Sequence, residues 1–338
     1  MLRVLHVLPH RGGGAETYVD LLEDLPGTAH ERFALSGSRR PSGAARSIPR
    51  RYPALARAAR AVDLVHVHGD AAAILALPLR PAVLTTHGLH MLRRTEGARG
   101  AAVRAGFTAA IAAGCATLCT SQAECDELRA LLPARLHGRL AVVANGIALP
   151  ALDPRSRATA RSALGLADGD VAGLYLGELE ERKDPLTAVR AAAAAGPPFV
   201  LLVAGTGPLE PVLRADAGPS VRVLGFRDDP EALLAAADVF VLPSRREGLS
   251  FAVLEAMAHE LAMVVADGPG NPEAVGEAGV ILPAGDVSAF AAVLRELAHD
   301  TQRRVELGRR ARARVAQRFG VERLHAGVAA AYARAQGA

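Results

Sequence analysis

The stretch VFVLPSRREGLSFAVLEAMA, residues 239–258, contains the pattern that decides the fold. Its first four residues are apolar and lead into a polar turn, which predicts a short strand buried on both faces. Ser250 is a favoured residue for the start of a helix, and the apolar residues after it predict that a helix follows. A buried strand that turns directly into a helix is the unit from which parallel α/β sheets are built.

The same pattern recurs along the chain. The other short apolar runs, most of them separated by helical patterns, are LRVLHVL, RFALSG, DLVHVHG, AVLTTHG, ATLCTS, LAVVANG, VAGLYLG, FVLLVAG, VRVLGF, AMVVAD and GVILPAG. We therefore predict an α/β protein with two Rossmann-like, doubly wound parallel sheets. Ligands of such sheets bind outside the carboxyl ends of the strands, so we expect the two domains to face one central cleft.

Domain boundaries follow from composition. The segment 149–170 is rich in Pro, Asp and Gly, so the expected domains are residues 1–150 and 151–318. The dipeptide Phe319-Gly320 interrupts a helical tail. Residues 319–338 are therefore expected to form a last helix that packs back on the N-terminal domain.

Composition places the chain among globular proteins with a sizeable core. Half of the 338 residues are hydrophobic and 22% are charged. No run of 18 apolar residues occurs, which predicts no membrane-spanning helix, and we expect no signal peptide at the start. The 3 cysteines are an odd number in one short segment, so we expect free thiols and a reducing, cytoplasmic location.

Charge is unevenly divided. Residues 1–150 carry 18 arginines against 11 acidic residues, a net charge of +7, whereas the remainder carries −3. The arginines cluster in two groups: Arg39, Arg40, Arg46, Arg50 and Arg51, and then Arg93, Arg94, Arg99 and Arg104. One interpretation is a solvated basic face, and the other is a surface for an anionic acceptor or for acidic lipids at the inner face of a membrane. Aromatic residues make up only 4%, so stacking surface is scarce and nucleic acid is not an expected partner.

Two carboxylates follow the strand in the opening stretch. Glu247 falls in the turn, and Glu255 lies five residues into the helix, about 7.5 Å further along its axis. The N–H groups of Ser250 and Phe251 lie between them, so a phosphate fits at the helix start and vicinal hydroxyls fit near Glu255. Acidic residues near a helix start also suit the helix dipole without any ligand. Glu255 argues against this simpler interpretation, because an unpaired carboxylate on an otherwise apolar helix is costly.

Lys183 is the only lysine of the chain. It follows the strand VAGLYLG by six residues and precedes a helix predicted at Pro185–Ala195. An ammonium group at the carboxyl end of a parallel strand is well placed to pair with a diphosphate. The alternative is that an arginine-rich composition has left one lysine there by chance.

Glycine-rich turns follow several other strands. Gly13 and Gly14 precede Glu16, Gly205 lies in the turn AGTGPLE, and Glu273 follows the turn DGPGNP. Such glycines let the backbone approach a ligand, but they also form ordinary tight connections. No GxGxxG or GK[ST] sequence is present, so neither a dinucleotide fingerprint nor a P-loop is predicted.

Taken in order, these motifs resemble those of the retaining glycosyltransferases of family 4, which have the GT-B fold. EGLSFAVLE matches the family's two glutamates separated by seven residues, GELEERK its glycine…lysine element, and GGAE its N-terminal loop. THG with His87, ANG with Asn145 and GPGNPE with Glu273 follow in the expected order.

The resemblance implies transfer of a sugar, with retention of configuration, from a UDP- or GDP-sugar to a glycan, lipid-linked or small-molecule acceptor. It implies no metal and no cofactor, with the acceptor on residues 1–150 and the nucleotide-sugar on residues 151–318. The implied catalytic residues are Lys183, Glu247 and His87, and Glu16 and Asn145 fall on the acceptor side. The implied donor-binding residues are Gly13, Gly14, Glu178, Arg182, Gly205, Gly225, Phe226, Ser250, Phe251, Glu255 and Glu273.

Glu178 departs from the family pattern, which usually has arginine at this position. We expect the adjacent cations to compensate, with Arg182 beside Lys183 and the lysine carrying more of the role. This departure leaves open a non-catalytic GT-B homologue that binds a nucleotide or a glycan. An NAD-dependent dehydrogenase and a nucleotide-sugar epimerase are further alternatives, and the missing GxGxxG argues against the dehydrogenase.

Two further histidines also have two interpretations. His66 and His68 are two residues apart on one strand, so their side chains share a face. They fit either a pair of metal ligands or hydrogen-bonded histidines of the core or of the cleft.

Overall fold

A computed structural model describes residues 1–36, 44–79 and 82–337, with side chains described throughout these ranges except at 44–50. The residues fall into two compact units, of which the first comprises Met1–Gly146 and Val321–Ala338 and the second Ile147–Gly320. Arg39 and Arg40 of the first predicted arginine group lie outside the described residues, as do the side chains of Arg46 and Arg50.

The first unit is built on a six-stranded parallel sheet. Its strands are β1 (Leu2–Leu8), β2 (Thr28–Ala34), β3 (Leu64–His68), β4 (Val83–Thr85), β5 (Ala116–Cys119) and β6 (Leu140–Val142). Its helices are α1 (Gly14–Leu22), α2 (Ala44–Arg60), α3 (Asp70–Ala76), α4 (His90–Arg94), α5 (Gly97–Ala113), α6 (Gln122–Leu131) and, from the end of the chain, α15 (Val321–Gln336). The strand order is β2-β1-β3-β4-β5-β6, and α15 packs against β4 and β5.

The second unit has a six-stranded parallel sheet of its own. Its strands are β7 (Val171–Leu176), β8 (Phe199–Ala204), β9 (Val221–Gly225), β10 (Val239–Leu242), β11 (Ala262–Ala266) and β12 (Gly279–Leu282). Its helices are α7 (Pro154–Ala163), α8 (Pro185–Ala195), α9 (Glu210–Asp216), α10 (Pro230–Ala236), α11 (Phe251–Ala258), α12 (Asn271–Val275), α13 (Val287–His299) and α14 (Thr301–Arg318). A single 3-10 turn at Glu181–Lys183 precedes α8.

Burial explains why the apolar runs form these sheets. Every residue of β3, β8, β10 and β11 is buried, as expected for parallel strands covered by helices on both faces. Leu, Val and Ala make up most of the core, and the largest fully buried side chains of the second unit include Tyr175, Phe199, Phe240 and Phe290. Both sheets confirm the predicted doubly wound α/β class. Among the described residues, no helix combines the length and the apolarity needed to cross a bilayer.

Strand order locates the ligand-binding edge of each sheet. In the second unit the order is β12-β11-β10-β7-β8-β9, so the chain leaves β7 toward one side and β10 toward the other. In the first unit the same divergence lies between β1 and β3. Loops that diverge from neighbouring parallel strands leave a crevice at the carboxyl ends, and this switch point is where ligands of such sheets bind.

Candidate functional site

The switch point of the second unit brings the loops after β7, β10 and β11 together. The backbone N–H of Arg245 donates to the carbonyl of Arg182 at 3.0 Å, which joins the β10 loop to the β7 loop. The N–H of Glu247 donates to the carbonyl of Pro269, also at 3.0 Å, which joins the β10 loop to the β11 loop. These bonds fix the side chains of the three loops relative to one another.

Lys183 and Glu247 form an ion pair at this point. The ammonium Nζ donates to Oε1 of Glu247 at 2.6 Å, and the two side chains are 14% and 6% exposed. Burial raises the pKa of Glu247, but Lys183 and Arg182 outweigh that effect and hold the pKa below its ordinary value. Glu247 is therefore ionised at neutral pH, and Lys183 is turned into the loop cluster instead of extending into water.

Arg182 is held by carboxylates of its own loop. It donates to Glu180 at 2.6 Å and to Glu178 at 3.2 Å, and it lies 3.8 Å from Glu247. The side chain of Glu178 is 67% exposed. The cluster thus contains three carboxylates and two cations, so the expected compensation by Arg182 is reduced, because nearby acids already neutralise its charge. Among the residues that the structure describes, Lys183 pairs with one carboxylate and Arg182 with three, so Lys183 is the cation whose charge is less fully neutralised.

A second ion pair supports the turn that carries Lys183. Asp184 is buried, has a φ of 49° and bonds to Arg245 at 2.9 Å. This left-handed conformation is strained for a residue other than glycine, and it allows Pro185 to begin α8 directly. The sequence gives no signal for this pair, because the two residues lie 61 positions apart.

The glycines of these loops are explained by close backbone packing. A Cβ atom at Gly205 would lie 1.8 Å from the carbonyl oxygen of Gly177, and one at Gly270 would lie 1.7 Å from that of Gly248. Gly205 also donates its N–H to the carbonyl of Gly225 at 2.8 Å. These positions therefore require glycine whether or not a ligand binds there.

Helix α11 begins at Phe251, with Ser250 at the N-cap position. The helix thus starts where the sequence predicts, although the Ser250 hydroxyl makes no capping hydrogen bond. The β11 loop packs closely on the β10 loop before this helix, since a Cβ atom at Gly268 would lie 2.6 Å from the carbonyl oxygens of Ser244 and Arg245. The N–H groups of a first helical turn have no partner within the helix, so they suit an anion.

Glu255 has an unusual carboxyl group. Burial, and next the negative charge of Glu231, raise its pKa from 4.5 to about 7. Glu231 itself bonds to His259 at 3.2 Å. Within the described part of the chain, the Glu255 carboxyl group accepts no hydrogen bond, although the Glu255 backbone carbonyl accepts two from His259, one from its backbone N–H and one from its ring Nδ1. This is the costly carboxylate that the sequence indicated on an apolar helix.

Two further predicted donor residues, Phe226 and Glu273, follow strands of the second sheet at the same edge. Phe226 follows β9 and is 59% exposed, which is unusual for an aromatic ring. Glu273 lies in the first turn of α12, and its backbone carbonyl accepts a hydrogen bond from Arg314 at 2.9 Å.

In the first unit, the glycine loop after β1 leads into α1. Gly13 is at the N-cap position with a φ of 80°, and Gly14 is the first helical residue. Glu16 folds back, and its carboxylate accepts a hydrogen bond from the N–H of Gly12. Glu16 thus stabilises the loop in this structure. Asn145 is buried and follows β6.

His87 lies on a strained loop after β4. Its φ is 51°, and those of Gly88 and Leu89 are 109° and 45°, which are left-handed values. Two buried carboxylates hold this loop: Glu124 accepts from the Gly88 N–H at 2.6 Å, and Asp70 accepts from the Met91 N–H at 2.7 Å. Strain of this kind persists only where the surroundings enforce it, and it concentrates at functional sites.

The histidines of the first unit are hydrogen-bonded to one another. Nε2 of His87 lies 2.9 Å from Nδ1 of His68, and Nε2 of His68 lies 2.9 Å from Nδ1 of His6. His66 instead bonds to Tyr332 and Thr85. Among the described residues, His6, His66 and His68 are close enough to be grouped as a metal site, but their hydrogen bonds favour the alternative of satisfied core histidines. Sequence reasoning missed His6, because its contact depends on β1 lying beside β3.

The second arginine group of the first unit is not uniformly solvated. Arg93 is 13% exposed at its side chain and donates to Glu127 and to the carbonyl of Gly88. The guanidinium of Arg51, from the first group, lies over the ring of Phe33 at 5.3 Å. Arg93 is therefore a structural partner of the His87 loop and does not contribute to a free basic face.

Two doubly wound parallel sheets, each with a switch point, define the class of proteins with two Rossmann-like domains, and comparison with known proteins identifies the family. The model of Glycosyltransferase Family 4 matches residues 8–149, and that of Glycosyl transferases group 1 matches residues 172–300. A GDP-mannose-dependent monoacylated alpha-(1-6)-phosphatidylinositol monomannoside mannosyltransferase of Corynebacterium glutamicum is 32% identical over 48% of this chain and 47% of its own. D-inositol 3-phosphate glycosyltransferase 1 of Catenulispora acidiphila is 30% identical over 71% of this chain and 65% of its own.

Solved structures agree on the fold. Anabaena HepE in complex with UDP-glucose has a TM-score of 0.81 at 19% identity, covering 98% of this chain and 100% of that one. The chain thus belongs to the family 4-like glycosyltransferases of the GT-B fold. It spans about half to two thirds of the length of the two curated relatives.

Proposed function

We propose that the protein transfers a sugar from a UDP- or GDP-sugar to a glycan, lipid-linked or small-molecule acceptor, with retention of configuration. The observation that carries this proposal is the Lys183–Glu247 pair at the switch point of the second sheet. Both residues match the family motif, and both lie where ligands of such sheets bind. The GDP-mannose of one relative and the UDP-glucose of the solved neighbour support the donor class.

Lys183 is the group that we assign to the diphosphate. A diphosphate is a stronger anion than one carboxylate, so it can compete with Glu247 for the ammonium group. Negative charge grows on the leaving phosphate as the glycosidic bond breaks, so a fixed cation helps most in the transition state. The first-turn amides of α11, at Ser250 and Phe251, supply further positive potential.

The remaining donor roles follow from placement at the same sheet edge. Glu247, which is ionised, is proposed to contact the donor sugar, and Glu255 to accept hydrogen bonds from the ribose hydroxyls. The other proposed donor contacts are Glu178, Arg182, Gly205, Gly225, Phe226 and Glu273. The leaving phosphate is proposed to take the proton of the acceptor hydroxyl, so the reaction requires no separate base, no metal and no cofactor.

Roles for the first unit are proposed from the family motifs. His87 is assigned to the sugar, and the amides of Gly13 and Gly14 to the diphosphate. Glu16 and Asn145 are assigned to the acceptor. The strained loop of His87 supports its assignment, because backbone strain of this kind concentrates at functional sites.

The test begins with a thermal-shift panel of UDP-, GDP- and ADP-sugars. Each donor that stabilises the protein is then incubated, as a labelled nucleotide-sugar, with candidate acceptors, and the anomeric configuration of the product is read by NMR. We expect the wild type to show transfer or slow hydrolysis. Both activities should be lost in Lys183→Ala and kept in Arg190→Ala. Arg190 is a matched control, since it is a cation of the same unit in an exposed pair with Asp216. Binding of a nucleotide-sugar without any transfer or hydrolysis would support the non-catalytic alternative instead.

The acceptor class has a separate test. Without Arg93, the second arginine group of the first unit consists of Arg94, Arg99 and Arg104. We propose that these three residues attract an anionic acceptor or the acidic lipids of the cytoplasmic face of a membrane. We expect the protein to sediment with vesicles that contain acidic lipid and not with neutral vesicles, and to be released by salt. Equal sedimentation with both would contradict the proposal.

A further inference from the structure

Four histidines of the first unit are joined in line by hydrogen bonds between ring nitrogens. The bonds are His30 Nδ1 to His6 Nε2 at 2.8 Å, His6 Nδ1 to His68 Nε2 at 2.9 Å, and His68 Nδ1 to His87 Nε2 at 2.9 Å. Beyond His30, its Nε2 lies 2.7 Å from Oγ1 of Thr28. The chain therefore runs from the start of β2, across β1 and β3, to the loop after β4.

Each ring in this chain is neutral at the upper end of the physiological pH range. Burial lowers the pKa of His6 and His68 well below its ordinary value, and burial together with His90 lowers that of His87 to about 3. Burial also lowers the pKa of half-buried His30; Glu23 offsets part of this, while Arg32 and His325 add to it. A neutral imidazole has one N–H donor and one acceptor nitrogen, so each hydrogen bond in the chain has one fixed direction at a time.

Thr28 determines which direction that is. Its hydroxyl lies 2.6 Å from the carbonyl oxygen of Leu25, and a carbonyl oxygen can only accept. The single hydroxyl proton of Thr28 is thus used on Leu25, and Oγ1 must accept from His30. It follows that His30 carries its proton on Nε2 and that its Nδ1 accepts from Nε2 of His6. The same step repeats at His68 and then at His87.

We propose that Thr28, acting through this histidine chain, holds His87 in the tautomer with the proton on Nε2, which leaves Nδ1 as a hydrogen-bond acceptor. Thr28, His30, His6 and His68 are positioning residues, since they act on the ligand only through His87. An acceptor nitrogen binds a hydroxyl group and disfavours a phosphate oxygen, which brings no proton. His87 is thereby selected for a sugar hydroxyl, and this last step rests on the proposed function.

The tautomer is measured directly by NMR. Full-length protein with ¹⁵N-labelled histidine is examined at pH 8 by long-range ¹H–¹⁵N correlation, which distinguishes the protonated ring nitrogen from the bare one. The His87 signals are assigned by their loss in His87→Gln. We expect the wild type to show protonated Nε2 at His30, His6, His68 and His87. A proton on Nδ1 of His87 in the wild type would overturn the proposal, and this result needs no enzymatic activity.

Variants at the remote end test the coupling. Thr28→Val removes the acceptor of His30 at constant shape, so we expect a mixture of both tautomers at His87, while Thr28→Ser keeps the wild-type spectrum. Thr85→Val is the matched control, because Thr85 bonds to His66, which is outside the chain. An unchanged His87 spectrum in Thr28→Val, or the same change in Thr85→Val, would contradict the proposal.

A catalytic readout separates this inference from the proposed function. If the protein proves active, Thr28→Val should raise KM for the sugar substrate on the order of two- to fivefold, as expected for loss of part of one hydrogen bond, with kcat less affected. A wild-type spectrum of the expected kind without any activity would leave the tautomer assignment standing and refute the proposed function alone.

Discussion

Replacing Glu255 by glutamine removes a carboxyl group whose pKa is raised from 4.5 to about 7, chiefly by burial. Between these two values the folded protein retains a proton that the unfolded chain has lost, so stability falls as the pH rises through this range. Above pH 7 the penalty is complete, and a pKa difference of about 2.5 corresponds to at most about 3 kcal/mol. Glutamine cannot ionise, so Glu255→Gln should be more stable than the wild type at pH 8.

The size of the effect on thermal unfolding follows from the size of the unit. For 150–250 residues, each kcal/mol shifts Tm by about 2–4 °C, so we expect a rise of several degrees at pH 8 and almost none at pH 4. Differential scanning fluorimetry at both pH values measures this difference. Glu306→Gln, an exposed change on α14, is the matched control and should leave Tm unchanged at both. Equal Tm values for Glu255→Gln and wild type at pH 8 would refute the burial argument.

Nucleotide binding should change in the opposite direction. Hydrogen bonds to a charged group contribute about 1.5–3 kcal/mol, so loss of the carboxylate should weaken nucleotide binding about 10- to 100-fold at pH 8. Isothermal titration calorimetry with UDP and GDP measures this. Because only the ionised form accepts from both ribose hydroxyls, wild-type affinity should also increase as the pH rises through about 7. Unchanged affinity in Glu255→Gln would refute the ribose assignment while leaving the stability argument intact.

Two further changes test the loops. Glu247→Gln should lower the free energy of unfolding by on the order of 3 kcal/mol at pH 8, because it leaves Lys183 largely buried without its partner. Since the pKa of Glu247 is lowered, the stabilisation by its carboxylate is lost as the pH falls below about 4.5. Urea unfolding should therefore show a large difference in stability between the variant and the wild type at pH 8 and a small one at pH 3. Gly205→Ala should fail to fold or lose several kcal/mol in its free energy of unfolding, because its Cβ would lie 1.8 Å from the carbonyl oxygen of Gly177. A Cβ at Gly169 would meet no atom within 4 Å, so Gly169→Ala should unfold like the wild type. Similar chemical unfolding curves for the two glycine variants would refute the packing argument.

The positions of most strands could be predicted closely from the sequence. Eleven of the 12 apolar runs contain a strand, and RFALSG overlaps only the end of β2, which begins four residues earlier at Thr28. Most of the other differences lie at the carboxyl ends, as in AVLTTHG, where β4 covers only Val83–Thr85. Apolar runs are a local signal of burial, so their apolar residues form the strands. The residues Thr-His-Gly at the end of AVLTTHG do not continue β4, because the backbone takes left-handed φ values at His87 and Gly88. That turn depends on Glu124, a residue 36 positions from Gly88 in the chain.

The location of Lys183 and Glu247 could be predicted from the sequence, but their side-chain partners could not. Lys183 and Glu247 follow strands whose ends both face the switch point, and the sequence placed each after the correct strand. Their direct pairing was not predicted, because it requires β7 to lie beside β10. The sequence analysis also missed Glu180, because it considered only Glu178, which stands where the family usually has arginine. The side-chain geometry shows that both carboxylates bind Arg182.

The central claim is that the Lys183 ammonium group holds the diphosphate of the donor. It is tested by calorimetric titration of UDP or GDP, whichever the wild type binds, and of the corresponding nucleoside, into wild type, Lys183→Met in the Glu247→Gln background, and Glu247→Gln alone. The double variant removes the ammonium without leaving an unpaired carboxylate. We expect it to lose about 10- to 100-fold in affinity for the diphosphate and none for the nucleoside, while Glu247→Gln alone keeps its diphosphate affinity. Equal losses for diphosphate and nucleoside, or no loss in the double variant, would contradict the claim.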